Sequence, residues 1–480
     1  MKIDPAKIAD TGGKITKRSA GEKEITISTD DKFTSTGNTD KPGIIDRKTA
    51  ASVVLARTKM RNYKVLWSFK PEKKKYIRKE NPDTRKAYEQ LYEQTGDKKA
   101  LQDYLDSIGK PYFNESRVST TPAPAKDGKG LIIATNNKDM YCVGEDGKPV
   151  WKKEISNEDY VNIGKVCQSP TCDILFKMKG DLHRLDPDTM KVEPFKSIEE
   201  RQGSFYSVGS DGTIYQGTRD KKRQNCVYAL NPDDTVKWRF HTPGNAIKGK
   251  PVEGPDGKVC FHTWNGEIFV ISADGKKSAH TKLEGKTASW NPVFSPDGER
   301  VYMGLKDGSV ASISAKDGST EWIKSMGMET GEQHMSVGND GTLYVAGLKG
   351  KLVAFDPDGR EKWEYRSSGD MMTCPIVSKS GDVYQVSGDE SLHCIDNRGV
   401  AKWIAKITAQ YAPPPYVDDD DTLYVVTKSG CLQAIKSSTI EEIAERAAEG
   451  QEGEGKSVPT IEIGEGFVTI GGVKLSIKGR

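Results

Sequence analysis

The sequence predicts an all-β fold: an eight-bladed β-propeller of four-stranded antiparallel blades, closed by an N-terminal strand and carrying one helical-hairpin insertion. Three observations carry that reading. An apolar strand opening recurs at Ile132, Ile174, Ile214, Val259, Val301, Leu343, Val383 and Leu423, at gaps of 42, 40, 45, 42, 42, 40 and 40 residues. A period of about forty residues with several short strands per unit marks a propeller. Tryptophan ends repeat after repeat, at Trp151, Trp238, Trp322, Trp363 and Trp403. A matching strand, Val65-Leu66-Trp67-Ser68-Phe69, stands ahead of the first repeat.

In chain order, residues 1–64 are rich in Lys, Thr, Asp and Gly and poor in aromatics. That composition predicts a largely disordered tail, with one short helix over Arg47–Arg57. The strand around Trp67 follows. Its role comes from counting. The repeats supply eight sets of inner strands, but the set ending near Ile435 has no tryptophan after it. Weaker repeats carry Phe195 and His280 near the tryptophan place. Val65–Phe69 therefore completes the last blade and leaves no unpaired edge around the ring.

Each repeat reads as four strands, as in Met335–Gly338, Thr342–Gly347, Lys351–Asp356 and Glu361–Arg366. Runs rich in Val, Ile and Tyr are bounded by Asp-Gly, Asn-Gly or Lys-Gly turns. Glycine supplies the positive φ those turns need. The propeller is assigned to 65–436. Beyond it, 437–480 reads as a helix at Ile440–Ala448, a Gly/Glu linker and an alternating apolar piece around Gly471-Gly472. That piece resembles a hairpin too small to stand alone, so it must dock on the propeller or on a partner.

The pattern Ala354-x-Asp356-x-x-Gly359-x-x-x-Trp363 resembles the tryptophan-docking motif of the quinoprotein, or PQQ-like, repeat family. Ala229-x-Asn231 to Trp238, and Cys394-x-Asp396-x-x-Gly399 to Trp403, repeat it. The resemblance covers about 65–436 and implies stacked blades, each indole packing on its neighbour. It raises a quinone-dependent dehydrogenase first. Those enzymes, as the resemblance implies, hold the quinone on a tryptophan floor beneath a disulfide of adjacent cysteines, with calcium alongside. No two cysteines are adjacent here, Trp290 is the one candidate floor, and no catalytic Asp aligns to it. The family also includes non-catalytic propellers of the barrel-assembly-lipoprotein type. This chain shows no lipobox, so that cellular role is not carried over.

Composition narrows the rest. Net charge is +3 with 29% charged residues, which does not give the broad basic field of a nucleic-acid binder. The eight cysteines show neither a disulfide framework nor zinc spacing, and most fall within strands. The six histidines lack ligand spacing, and His262 reads as a structural residue sharing a blade-four segment with Trp264. Asp418-Asp419-Asp420-Asp421 reads as a solvated turn rather than a calcium loop. No apolar run is long enough to span a membrane. The polar start Met1–Pro5 suggests a cytoplasmic protein.

One feature breaks the repeat. Residues 71–117 interrupt the connection into blade one, beginning with the basic run Lys70, Lys73, Lys74, Lys75, Arg78 and Lys79. A helical hairpin is predicted, with Asn81-Pro82 at its start and Tyr88, Leu91 and Tyr92 as one apolar stripe. Asp97 caps a second helix with Leu101, Tyr104, Leu105 and Ile108. Connections between blades emerge on the face that carries the loops between strands two and three. The hairpin should rise there, near the channel mouth, with Phe205, Trp264, Trp290, His334, Met371, Met372 and Tyr411 as candidate anchors. The function expected is a non-enzymatic scaffold that binds another protein through this face, with no cofactor and no metal. The alternative is a small-molecule or carbohydrate binder, or an enzyme, using the central channel.

Overall fold

The computed structural model describes residues 25–26, 34–35, 43–45, 63–77, 82–95, 98–107, 111–114, 116–125, 128–155, 163–168, 173–178, 181–195, 202–219, 225–242, 246–283, 286–288, 291–327, 334–371, 373–407, 413–438, 461–464, 467–470 and 473–477. Eight four-stranded antiparallel sheets form the blades. Blades one to seven span 123–154, 163–194, 202–242, 247–282, 293–325, 334–366 and 376–405. Blade eight joins Tyr416–Val417, Leu423–Val426 and Leu432–Ser437 to the front strand Tyr63–Phe69. The closing register sets Trp67 opposite Ala434 and Phe69 opposite Leu432. Ring closure by the early strand is thus as the tryptophan count requires.

The second and third strands make the core. The second strand of blade six, Leu343–Ala346, and the third of blade seven, Leu392–Ile395, are buried throughout, while the outer strand Glu361–Arg366 is exposed or half-buried. The tryptophans sit on the outer strands, and two local devices seat them. In blades one, three, five, six, seven and eight the residue opposite tryptophan is small: Cys142, Ala229, Ser312, Ala354, Cys394 and Ala434. A register shift beside each such pair re-aims the strand. Blade four swaps the sizes, setting Val270 opposite Ala279. His280 is therefore one position past the tryptophan place, and it stacks on Phe269 at 4.4 Å.

Each indole reaches the next blade. Trp238, Trp322 and Trp363 donate Nε1–H to the carbonyls of Ala273, Pro357 and Asn397, each at 3.0 Å. Trp403 donates to the hydroxyl of Ser437 at 3.0 Å. The motif glycine turns out to serve the preceding blade. A Cβ on Gly359 would lie 2.7 Å from Trp322, and one on Gly399 2.7 Å from Trp363. Both glycines have φ +78, so the position demands glycine twice over.

The insertion is more than a helical hairpin. Helices Pro82–Thr95 and Lys98–Ser107 form as expected. They stand on a two-stranded antiparallel ribbon, Lys74–Ile77 with Pro111–Asn114. Part of the basic run is thus a strand. In the front tail, expected to be largely disordered, Ile25–Thr26 pairs with Thr34–Ser35. The C-terminal piece is a meander of Ile461–Gly464, Phe467–Ile470 and Val473–Ile477, and Gly43–Ile45 joins it in parallel. The helices expected at 47–57 and 440–448 lie outside the described residues.

Candidate functional site: the insertion face

Both feet of the insertion are clamped to the ring. At the leading foot Pro71 is buried, and Glu72 accepts a 2.8 Å hydrogen bond from Lys152 on the outer strand of blade one. Lys152 also lies 3.5 Å from Asp139 and over the Tyr141 ring. Burial alone would lower the Lys152 pKa. The bond to Glu72, with the neighbouring Tyr141 hydroxyl and the Asp139 charge, outweighs burial and holds the ammonium above its ordinary range. At the trailing foot Asn137 donates to Ser116 at 2.7 Å, and the Arg117 amide donates to Asn136 Oδ1 at 2.8 Å. The Val118 amide donates to the Gly430 carbonyl of blade eight at 3.0 Å. A Cβ on Gly430 would fall 2.5 Å from Arg117, so this crossing requires glycine. The ribbon therefore rises from a fixed base at the junction of blades eight and one.

The expected anchors divide. Leu91 is exposed on the first helix. Tyr88 and Tyr92 share that helix, and Phe205 lies in the innermost strand of blade three, Gln202–Val208. Trp264 is 58% exposed in the loop after Val259–Thr263, with the Lys248 ammonium 5.1 Å from its ring centre. His334 opens blade six, half-buried, 3.9 Å from the Cys374 sulfur, and burial lowers its pKa to about 4. Met371 is a correction: it packs in the core with Leu352 and Val383 at 1% exposure, so its side chain is not available to a partner. The bridge to Ser387 draws it inward. Trp290, Met372 and Tyr411 lie outside the described residues.

Blade four holds a polar group the sequence did not single out as unusual. His262 is fully buried, and neither ring nitrogen has a hydrogen-bond partner among the described residues. Burial, reinforced by the Lys248 charge, lowers its pKa to about 3, so the ring is neutral. Lys248 is directly opposite on the innermost strand, where a bulge between Lys248 and Val252 leaves Gly249 at φ +75. Asn291 of blade five accepts the Lys250 amide at 2.9 Å beside it.

The link between blades six and seven is tied down by another polar set. Tyr365 meets His393 Nδ1 at 2.8 Å, the other ring nitrogen faces Asp389 at 3.9 Å, and Ser368 donates to Asp389. The acidic run does local work. Asp418 accepts the Thr422 amide at 2.8 Å and the Tyr424 hydroxyl at 2.9 Å, while Asp421 accepts the Lys379 amide at 3.0 Å. Among the described residues no group of three or more His, Cys, Asp and Glu is placed to hold a metal ion.

The docked tryptophans, the glycines beneath them and the eight-sheet ring define a PQQ-like repeat propeller. The chain belongs to the family described as outer membrane protein assembly factor BamB, whose profile matches residues 178–337 and 306–468. Among curated relatives, BamB of Burkholderia pseudomallei is 29% identical over 121 residues, covering 25% of this chain and 30% of that protein. Glucosyltransferase-I of Streptococcus downei is 23% identical over 279 residues, covering 54% of this chain and 16% of that enzyme. The chain thus spans less than a third of either relative's length. The crystal structure of BamB from Moraxella catarrhalis superposes with a TM-score of 0.51 at 17% identity, covering 67% of this chain and 96% of that one. That likeness speaks to the fold.

Proposed function

We propose that this chain is a non-enzymatic interaction scaffold whose insertion face engages another protein in an assembly process, as the family's name implies. The observation that carries it is the insertion itself, an arm held by side-chain and main-chain bonds at both feet. Loops fixed on a rigid ring are where propellers place recognition, because the scaffold bears the ordering cost. The exposed Trp264 is an anchor of the kind interfaces favour, and exposed Leu91 adds apolar surface on the arm. The test is affinity co-purification from the source organism with the full chain and with 71–117 replaced by a short linker. A stoichiometric partner lost with the replacement supports the reading, and a partner retained by both versions refutes it.

A channel-mouth ligand is the second reading, favoured by one observation: buried His262, with no hydrogen-bond partner among the described residues, two positions before exposed Trp264. A small-molecule thermal-shift screen tests it. The cytoplasmic placement remains part of the proposal. The buried thiols of Cys260, Cys394 and Cys431 suit a reducing compartment. Cell fractionation that puts the protein in the envelope would overturn that placement.

A further inference from the structure

We propose that the ribbon at the base of the insertion is an open sheet edge that takes an extended acidic segment of the partner as a third strand. This rests on the scaffold reading and names the chemistry of its contact. Among the described residues Lys74–Ile77 and Pro111–Asn114 pair only with each other, as a two-stranded sheet. Each strand so placed has a row of amides and carbonyls on its outer side, a template for another strand. Two strands of four residues are marginal by themselves, and a third consolidates them. The register sets Tyr76 opposite Tyr112 and Lys75 opposite Phe113, residue types that support cross-strand pairing.

Charge selects the occupant. Lys70 and Lys73 are exposed just before the ribbon, and Lys74 and Lys75 are its first two residues. A second copy would set lysine against lysine, so the ribbon is protected from self-pairing. An acidic strand meets complementary charge and the same open edge. Single-stranded nucleic acid would also find lysines and aromatic rings here. It has no use for an unpaired peptide edge, and that edge favours the peptide. The clamped feet at Glu72 and Ser116 hold the ribbon in place before binding, which lowers the cost of ordering it.

The experiment uses the full chain and fluorescence anisotropy with four labelled probes: a short alternating Glu/Val peptide, the same peptide with a central proline, a Lys/Val peptide and an oligothymidylate. The Glu/Val peptide should bind, with the proline and Lys/Val versions weaker by about tenfold or more. The Lys74→Glu/Lys75→Glu double variant, unchanged in melting temperature, should lose a similar factor. Amides within 74–77 or 111–114 should exchange more slowly in the complex. Equal binding of the proline-bearing peptide would show charge attraction without strand addition. Tighter binding of oligothymidylate, lost in the charge variant, would make this a nucleic-acid surface. No binding of the Glu/Val peptide also overturns the proposal. If the co-purified partner is lost with the insertion but kept by the charge variant, the scaffold stands and strand addition falls.

Discussion

Replacing Trp363 with alanine tests the docking girdle at its best-defined point. The indole lies over Gly399 of blade seven, donates to the Asn397 carbonyl at 3.0 Å and meets Tyr344 at 5.7 Å. Losing a large aromatic from packed surroundings costs about 3–5 kcal/mol. Trp363 is only half-buried, which favours the lower end of that range, and the lost hydrogen bond accounts for about 1 kcal/mol of it. Gly399→Ala attacks the same contact from below. It strains a φ of +78 and places a methyl 2.7 Å from the ring. The backbone part costs about 1 kcal/mol and persists without the indole, whereas the clash does not. The double variant should therefore be less destabilised than the sum of the singles by about 1 kcal/mol or more. Denaturant unfolding followed by far-ultraviolet circular dichroism and by tryptophan fluorescence reads all four proteins, with coincident transitions as the check on a single step. A Trp363→Ala loss below about 1 kcal/mol, or strict additivity, would refute the girdle as a stabilising contact.

Three further outcomes are expected. Removing 1–70 deletes the closing strand and bares Leu432–Ser437, so it should promote aggregation, whereas removing 1–62 should be mild; light scattering that treats them alike would refute the closure. Stability should fall with acid in two steps. The His262 and His334 pKa values are lowered to about 3 and about 4, so their contribution is complete above the unfolded value of about 6.5 and is lost as pH falls below it, at about 1.4 kcal/mol per unit for each proton. The Lys237 hydrogen bond lowers Asp211 to about 2, and that contribution is lost between roughly pH 4 and pH 2. A His262→Gln/His334→Gln variant should flatten the first step alone, and a curve unchanged by both substitutions would show that neither histidine is buried neutral. Lys152→Ala should free the leading foot, speeding protease cleavage within 71–117 by several-fold with little change in melting temperature; an unchanged cleavage rate would mean the trailing foot suffices.

The ring was legible because its determinants are local and repeated. Strand openings recur eight times at a spacing of forty or so residues, and a tryptophan closes six of the eight blades. What escaped was pairing across repeats. Gly359 and Trp363 share a motif, yet Gly359 seats Trp322 and Trp363 sits on Gly399, a relation visible only once blades are stacked. The small residues beneath the indoles were also hidden, because cysteine at 142 and 394 reads as a redox question before it reads as a volume. The ribbon at 74–77 was masked by its lysines, which suggest a solvated run, and its other half lies beyond both helices. For the candidate site, the face was readable from topology. Individual side chains were not: Met371 and Trp264 are both large apolar residues set among mainly polar neighbours, but one is core and the other is exposed.

The position of the insertion gives it a second consequence. Ring closure depends on Tyr63–Phe69, and the chain passes from buried Phe69 through buried Pro71 straight into Glu72, which Lys152 of blade one holds. The trailing foot then bonds to Gly430 of blade eight and Asn136 of blade one. The insertion thus crosses the seam where the two ends of the ring meet, and it adds bonds on both sides of it. The seam needs them, because its closing strand comes from the far end of the sequence and its pairing costs the most loop-closure entropy of any blade. A partner that orders the arm would hold the seam shut as well, and binding would register as stabilisation of the whole propeller. Loosening the seam should in turn weaken the partner's grip. On the proposed reading, ring closure and recognition draw on one set of bonds, and the long interruption of the repeat between blades eight and one lies where it serves both.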